Sequence, residues 1–252
     1  MKDIKHIIDQ LVDYQSAQIY SDSDMPFVLL TYAQTLDGSI SEAPLSRTPI
    51  SNQASLRFSH QLRSLHDGIM VGYRTVIADN PRLTNRLFTG ASPQPIVLAT
   101  DGRLPIGCHL AGMRGRNPWV VSSRQPKISD GNIINIVVDT DSDGRVCIQS
   151  GLRALFKRGI RTLMVEGGAR VIDSLLRLGL VDYQITSISP RLFLQSSSVQ
   201  YAKIDKRVNL DLKEPVFAQL DSDIIVAGKP VFAEKDTVIT NSSSTLPSAI
   251  LQ

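Results

Sequence analysis

Cysteine is scarce in this chain: its 252 residues hold only Cys108 and Cys147. They form no CxxC, and His6, His60, His66 and His109 stand at no metal-ligand spacing from them. A disulfide framework and a bound metal are therefore not expected, and reduced thiols in a cytoplasmic setting are. Long hydrophobic runs are missing too, so no membrane span is expected. The opening MKDIKHIIDQ has no long apolar core and does not read as a signal peptide. Charge of one sign is not concentrated: the net charge is +3, without a Lys/Arg run, which argues against a nucleic-acid partner. Three common motifs are absent: GxGxxG after a first strand, GxxxxGK[ST] and GxSxG. Their absence argues against an ordinary dinucleotide-binding dehydrogenase, a P-loop ATPase and a serine hydrolase of the common type.

What is present is an alternation of apolar runs and helical spacings. Ile4, Ile7, Ile8, Leu11 and Val12 recur at helical spacing, so residues 3–19 read as an amphipathic helix. A polar SDSD follows, and residues 1–25 read as an N-terminal helical extension that packs on the main domain or a partner subunit. FVLLTY at 27–32 and GIMVG at 68–72 read as buried strands. Between them Ser51 or Asn52 can cap a helix running to about His66. Strands are expected at 96–99, 119–121, 133–138, 162–165, 183–188 and 224–227, and helices at 150–158 and 169–178. The pattern predicts an α/β domain over 26–233, with a mostly parallel central sheet, an antiparallel edge and helices on both faces. The low-charge tail 234–252 is expected to be flexible.

Three segments could carry chemistry. VEGGA at 165–169 delivers Glu166 from a strand, then two glycines, then a helix start. Glycine permits close approach of a ligand to the backbone, and a helix start offers unpaired N–H groups and the positive dipole end to an anion. GYRTVIADNPRLTNR at 72–86 sets Asp79 before an Asn-Pro turn among Arg74, Arg82 and Arg86, and guanidinium forks suit phosphates and planar heterocycles. TLDG at 35–38 says only that the first strand ends in a turn. Taken singly, each segment also fits a plain turn or a solvated loop.

Taken in order they are more specific. TLDGSIS at 35–41, PISN at 49–52, LRSLHDGIMVGYRTVIADNPRLTNR at 62–86 and MVEGGARVIDSLLRLGLVDYQITSISPRL at 164–192 resemble the reductase domain of the RibD family and the free-standing diaminopyrimidine reductases. The resemblance runs from residue 27 to about 228 and implies a dihydrofolate reductase-like fold. It also implies reduction of a ribosylaminopyrimidine 5′-phosphate to the ribitylamino compound with NADPH, in riboflavin biosynthesis, by a homodimer. Carried over by position, Asp79 and Glu166 become the catalytic candidates. Arg63, Leu83, Arg86 and Glu166 become substrate contacts, with Arg86 a phosphate clamp. Ala33, Pro49, Thr75, Asp79, Gly167, Gly168, Ala169, Arg170 and Val171 become cofactor contacts. A 2′-phosphate calls for a nearby cation, and Arg103, Arg124 and Arg170 are the candidates.

The sequence also departs from the family. Pro49 stands where bacterial members often have tryptophan, and Arg47 and Thr48 replace small polar residues. Neither HxE nor PCxxC of the zinc deaminase half is present. Two alternatives stay open: a same-fold reductase of a pterin, a folate or a secondary-metabolite precursor, and a non-catalytic nucleotide-binding relative. No histidine stands out as the proton donor, and His66 reads as a helix-end residue.

Overall fold

The computed structural model describes residues 3–113, 115–126, 132–194, 197–200 and 209–233. The tail expected to be flexible lies outside them. Among the described residues the centre of the fold is a nine-stranded sheet ordered β10-β11-β8-β1-β7-β3-β4-β5-β6. The strands of its parallel part are β1 (Phe27–Thr35), β3 (Gly68–Gly72), β4 (Gln94–Leu98), β5 (Trp119–Ser122), β6 (Ile134–Val137), β7 (Thr162–Glu166) and β8 (Tyr183–Ser189). The antiparallel edge is β11 (Asp223–Phe232) on β8, then β10 (Leu210–Leu220) on β11. This is the mostly parallel sheet with an antiparallel edge that the alternating pattern predicts. A short pair, β2 (Ser39–Ser41) with β9 (Val199–Gln200), stands apart from it.

Strand side chains alternate between faces, and the register sorts the core accordingly. Leu29, Met164 and Ile69 lie side by side across β1, β7 and β3, and so do their neighbours Leu30, Val165 and Met70. Leu30, Val165 and Met70 face the helices α4 (Ile148–Lys157) and α5 (Ala169–Arg177), which contribute Leu152, Leu155, Ile172 and Leu175. Leu29 and Met164 face α1 (Ile4–Ile19) and α2 (Gln53–Arg63), which contribute Ile7, Leu11, Phe58 and Leu62. Ile7 and Leu11 are fully buried, each worth about 2 kcal/mol of apolar burial. The N-terminal helix is thus built into the core of its own chain. Gln10 ties it down further by accepting the Tyr183 hydroxyl at 2.6 Å.

Helix limits follow local chemistry. Asn52, not Ser51, caps α2, its side chain accepting the Ser55 amide at 2.9 Å. The helix stops at Arg63, earlier than the expected His66, and the chain turns through Ser64 into β3. The helix α3 (Tyr73–Asp79) ends at Asn80, which takes the left-handed conformation at φ 42° before Pro81. One long strand is not anticipated by the sequence reading. β10, LDLKEPVFAQL, carries Pro215 and charges, and its pairing with β11 shifts between Lys213 and Val216. An edge strand tolerates such a bulge, because one of its sides has no ladder to maintain.

Candidate active site

Strands β1, β7 and β3 end together, and beside those ends lies a cleft of about 1100 Å³. β7 enters the sheet last among the three and sits between the other two, the kind of strand-order reversal at which open α/β sheets gather ligands. The cleft is lined by every residue that the resemblance marks as a catalytic, substrate or cofactor contact: Ala33, Pro49, Arg63, Thr75, Asp79, Leu83, Arg86, Glu166, Gly167, Gly168, Ala169, Arg170 and Val171. Of the three candidate cations for a 2′-phosphate, Arg103 and Arg170 line it. Arg124 instead pairs with Asp101 at 3.2 Å, with both side chains exposed.

At the cleft floor Arg63 grips Glu166 with two bonds, Nε to Oε1 at 2.7 Å and Nη2 to Oε2 at 2.8 Å. Burial alone would lower the Arg63 pKa, but the Glu166 charge and hydrogen bonds outweigh it and the net shift is upward. Ser59 adds a weak bond to Oε1 at 3.4 Å. Both Glu166 oxygens are therefore occupied from the side of α2. Asp79 differs: among the described residues it has no ion pair. Burial raises its pKa, Arg47 opposes that, and Glu166 adds to it. Asp79 thus holds a proton more readily than an exposed aspartate.

One wall is made of close backbone approaches. A Cβ on Gly168 would stand 3.0 Å from the Thr75 hydroxyl, and one on Gly72 would stand 2.9 Å from Val171 Cγ2. Side chains there would force the starts of α3 and α5 apart. Gly168 is the N-cap of α5 and offers no side-chain cap, so first-turn N–H groups are left for an anion. Arg170 follows at once. Its pKa is lowered by burial first, then by the nearby charges of Arg74 and Arg145. An unpaired helix start beside converging guanidinium groups fits the phosphates of a dinucleotide.

The opposite wall carries a second cationic group. Arg86 has no carboxylate partner among the described residues. Its pKa is lowered by burial, then by Arg63, Arg82 and Arg47. Like charges crowded this way favour an anion among them. Leu83 lies beneath, almost fully buried at φ 49°, and its carbonyl accepts from Arg116 Nη2. Pro49 forms part of the rim, and its carbonyl accepts from Arg191 Nη1 at 2.6 Å.

Sequence reasoning passed over some residues here. Arg145 comes from the turn before α4, and no local motif marks it. His60 lies one helical turn before Arg63, and that i, i+3 spacing is the signal that could have found it. His66, by contrast, is a buried structural residue. Its Nδ1 bonds the Leu62 carbonyl at 2.7 Å and its Nε2 meets Gln15 Nε2 at 3.0 Å.

Comparison with known proteins agrees with this geometry. The chain matches the RibD C-terminal domain over residues 26–226. It is 30% identical over 223 residues to the 2,5-diamino-6-ribosylamino-4(3H)-pyrimidinone 5′-phosphate reductase of Candida glabrata, covering 81% of this chain and 89% of that one. It is 33% identical over 213 residues to the protein of the same name from Debaryomyces hansenii, covering 76% and 85%. Among solved structures, the Saccharomyces cerevisiae riboflavin biosynthesis reductase Rib7 superposes with a TM-score of 0.76 at 28% identity, covering 91% of this chain and all of that one. The chain belongs to the RibD C-terminal domain family.

Proposed function

We propose that this chain is an NADPH-dependent reductase that converts 2,5-diamino-6-ribosylamino-4(3H)-pyrimidinone 5′-phosphate to its ribitylamino form. The relatives named for that reaction support the choice of the diamino compound over the deaminated one. The observation that carries the reading is the pair of anion-ready walls in a single cleft. Gly167 to Arg170 form one, with the open start of α5, and Arg86 with Arg82 forms the other. A dinucleotide and a sugar phosphate each need such a wall, and placing both in one cleft brings two bound molecules together.

NADPH, when bound, would supply the hydride for C1′ of the sugar. The residues supply position and a proton. Thr75, Gly168 and Ala169 hold the cofactor backbone, and Arg170 with Arg74, Arg145 and Arg103 neutralises its phosphates. Ala33 and Pro49, which line the cleft, would border the nicotinamide, Pro49 with a short side chain where the resemblance leads one to expect an indole. Arg86 binds the 5′-phosphate. The Arg63–Glu166 pair forms a rigid floor that orients the pyrimidine, and Leu83 closes the site below. Asp79, kept protonated more readily by burial, delivers the one proton the reaction needs to the ring oxygen as the C1′–O4′ bond breaks, while the C1′–N bond is kept and the hydride takes the place of that oxygen on C1′. Most of the acceleration on this reading comes from holding the two reactants in line. The unit that does this spans residues 26–233, works in the cytoplasm and pairs as a homodimer, with 1–25 a helical extension.

The test is NADPH oxidation by the purified chain, with the diamino and the deaminated phosphates offered separately. Turnover of the diamino compound is the expected result. Turnover of the deaminated compound alone would overturn the choice of substrate. Turnover of neither would overturn the reaction assigned, and activity on a pterin or folate would replace it.

A further inference from the structure

Residues 84–87 cross the cleft wall without helix or strand, so their backbone groups must find partners elsewhere. They find them on α2. Arg63 Nη1 donates to the Thr84 carbonyl at 2.9 Å. His60 Nδ1 accepts the amides of Arg86 at 3.0 Å and Leu87 at 3.3 Å. The two side chains therefore hold the segment at successive points from one helix, one by a carbonyl and the other by two amides. Asn85, between them, donates its own amide to Ser92 Oγ at 2.9 Å.

His60 can accept those amides only while Nδ1 carries no proton. Its surroundings keep it so. The ring has no solvent exposure, and Nε2 lies 3.4 Å from Arg63 Nη1. Burial first, then the Arg63 and Arg86 charges, push its pKa down to about 4. At neutral pH the ring is a fixed, uncharged acceptor. It also sits directly under the backbone of Arg86, whose guanidinium lines the cleft without a carboxylate partner among the described residues. A side chain as long as arginine is aimed chiefly by where its backbone is held. Releasing two amides would let the Arg86 backbone turn, and a buried amide left without a partner would itself favour a rearranged segment.

We propose that His60 is a positioning residue: by accepting the amides of Arg86 and Leu87 it sets the Arg86 guanidinium where it can grip the phosphate of a sugar phosphate. This rests on the reading of Arg86 as the phosphate clamp. The histidine touches neither substrate nor cofactor on this account, and acts only through the 84–87 segment.

Binding of ribose 5-phosphate to the full chain, measured by calorimetry, tests this without turnover, with NADPH binding measured in parallel. His60→Leu removes the acceptor. His60→Asn restores one, because its Oδ1 reaches about where Nδ1 sits, and His60→Gln carries its amide too far. His60→Leu is expected to weaken ribose 5-phosphate binding about tenfold or more, on the order of one well-made hydrogen bond. NADPH binding should change less than about twofold, and His60→Asn should recover most of the sugar phosphate affinity. Should His60→Leu fail to fold, His60→Gln takes its place with the same expectation. Unchanged sugar phosphate binding in the acceptor-less variant would overturn the proposal. Equal loss of NADPH and sugar phosphate would too, since that marks a general defect, and so would failure of a folded His60→Asn to recover. Arg86→Ala separates the two readings. If it binds ribose 5-phosphate as the wild type does, the clamp fails and His60's role falls with it. If it weakens binding while His60→Leu does not, only the His60 proposal fails.

Discussion

Glu166→Gln is the sharpest test of how the cleft floor is held. The carboxylate takes both forks of Arg63, at 2.7 and 2.8 Å, with side-chain exposures of 10% for Arg63 and 23% for Glu166. The amide is nearly isosteric, but it presents one acceptor and one NH2 group. Arg63 would keep one bond, face an N–H with its other donor and lose its counter-charge. Breaking a fully buried pair from one side costs about 3–5 kcal/mol, and an exposed pair about 0–1 kcal/mol. Glu166 keeps some contact with solvent, so a loss of about 2–3 kcal/mol is expected. For a chain of this size that lowers Tm by roughly 4–10 °C.

The assay is urea unfolding of wild type, Glu166→Gln, Arg63→Gln and the double variant. The midpoint should fall while m is unchanged, because the exposed area stays the same. The double variant should be less destabilised than the sum of the singles, since neither charge is then left alone, with a coupling of at least about 1 kcal/mol. A Glu166→Gln loss under about 0.5 kcal/mol, or additive singles, would refute the view that this pair braces α2 against β7. Activity should fall in Glu166→Gln beyond what unfolding explains, because Arg63 would also loosen its hold on Thr84.

Other measurements bear on other parts of the site. Gly168→Ala sets a Cβ 3.0 Å from the Thr75 hydroxyl and should raise KM for NADPH about tenfold with little change in kcat, as overpacking of about 1–2 kcal/mol displaces the α5 start; an unchanged KM would remove this wall from the cofactor site. Asp79→Asn should lower kcat and abolish its decline at high pH. That decline is expected as pH rises through the raised Asp79 pKa, since the acid form is the donor, and a wild-type profile flat on that side would exclude Asp79. His66, held near pKa 4 chiefly by its burial, stays neutral in the folded chain while the unfolded chain protonates near 6.5. Its contribution is complete above about pH 6.5, is lost as pH falls towards 4, and amounts to about 3 kcal/mol over that window. Urea midpoints at both ends of the window should show His66→Gln with a shallower decline than wild type, and parallel declines would contradict this.

The sequence made the sheet legible where both faces of a strand are buried. FVLLTY, GIMVG and TLMVE are continuous apolar runs bounded by turn residues, and in the structure they are adjacent strands at the centre. β10 was illegible for the opposite reason. It lies at an edge, one face is exposed, and Glu214 and Pro215 interrupt its alternation at the bulge. No short-range rule separates such a stretch from a loop, because its strand character comes from pairing with β11 alone.

The site divides along the same line. Glu166, Gly168 and Arg170 were visible because a strand, a glycine turn and a helix start are neighbours in sequence, and their chemistry is local. The pairing of Arg63 with Glu166 spans 103 residues and was not visible, although both residues were. That difference changes their chemistry. From sequence, Glu166 is a carboxylate free to meet a substrate. In the fold both its oxygens are committed to Arg63, and the carboxyl left with a raised pKa is Asp79. His60 shows the same limit from the other side. Its i, i+3 spacing to Arg63 is the one local hint, and its two acceptor contacts arise only because α2 and residues 86–87 lie against one another. Motifs identify which residues can do chemistry here, while the long-range contacts show which carboxylate is engaged by an arginine, which has no ion pair among the described residues, and which histidine holds the backbone of 86–87.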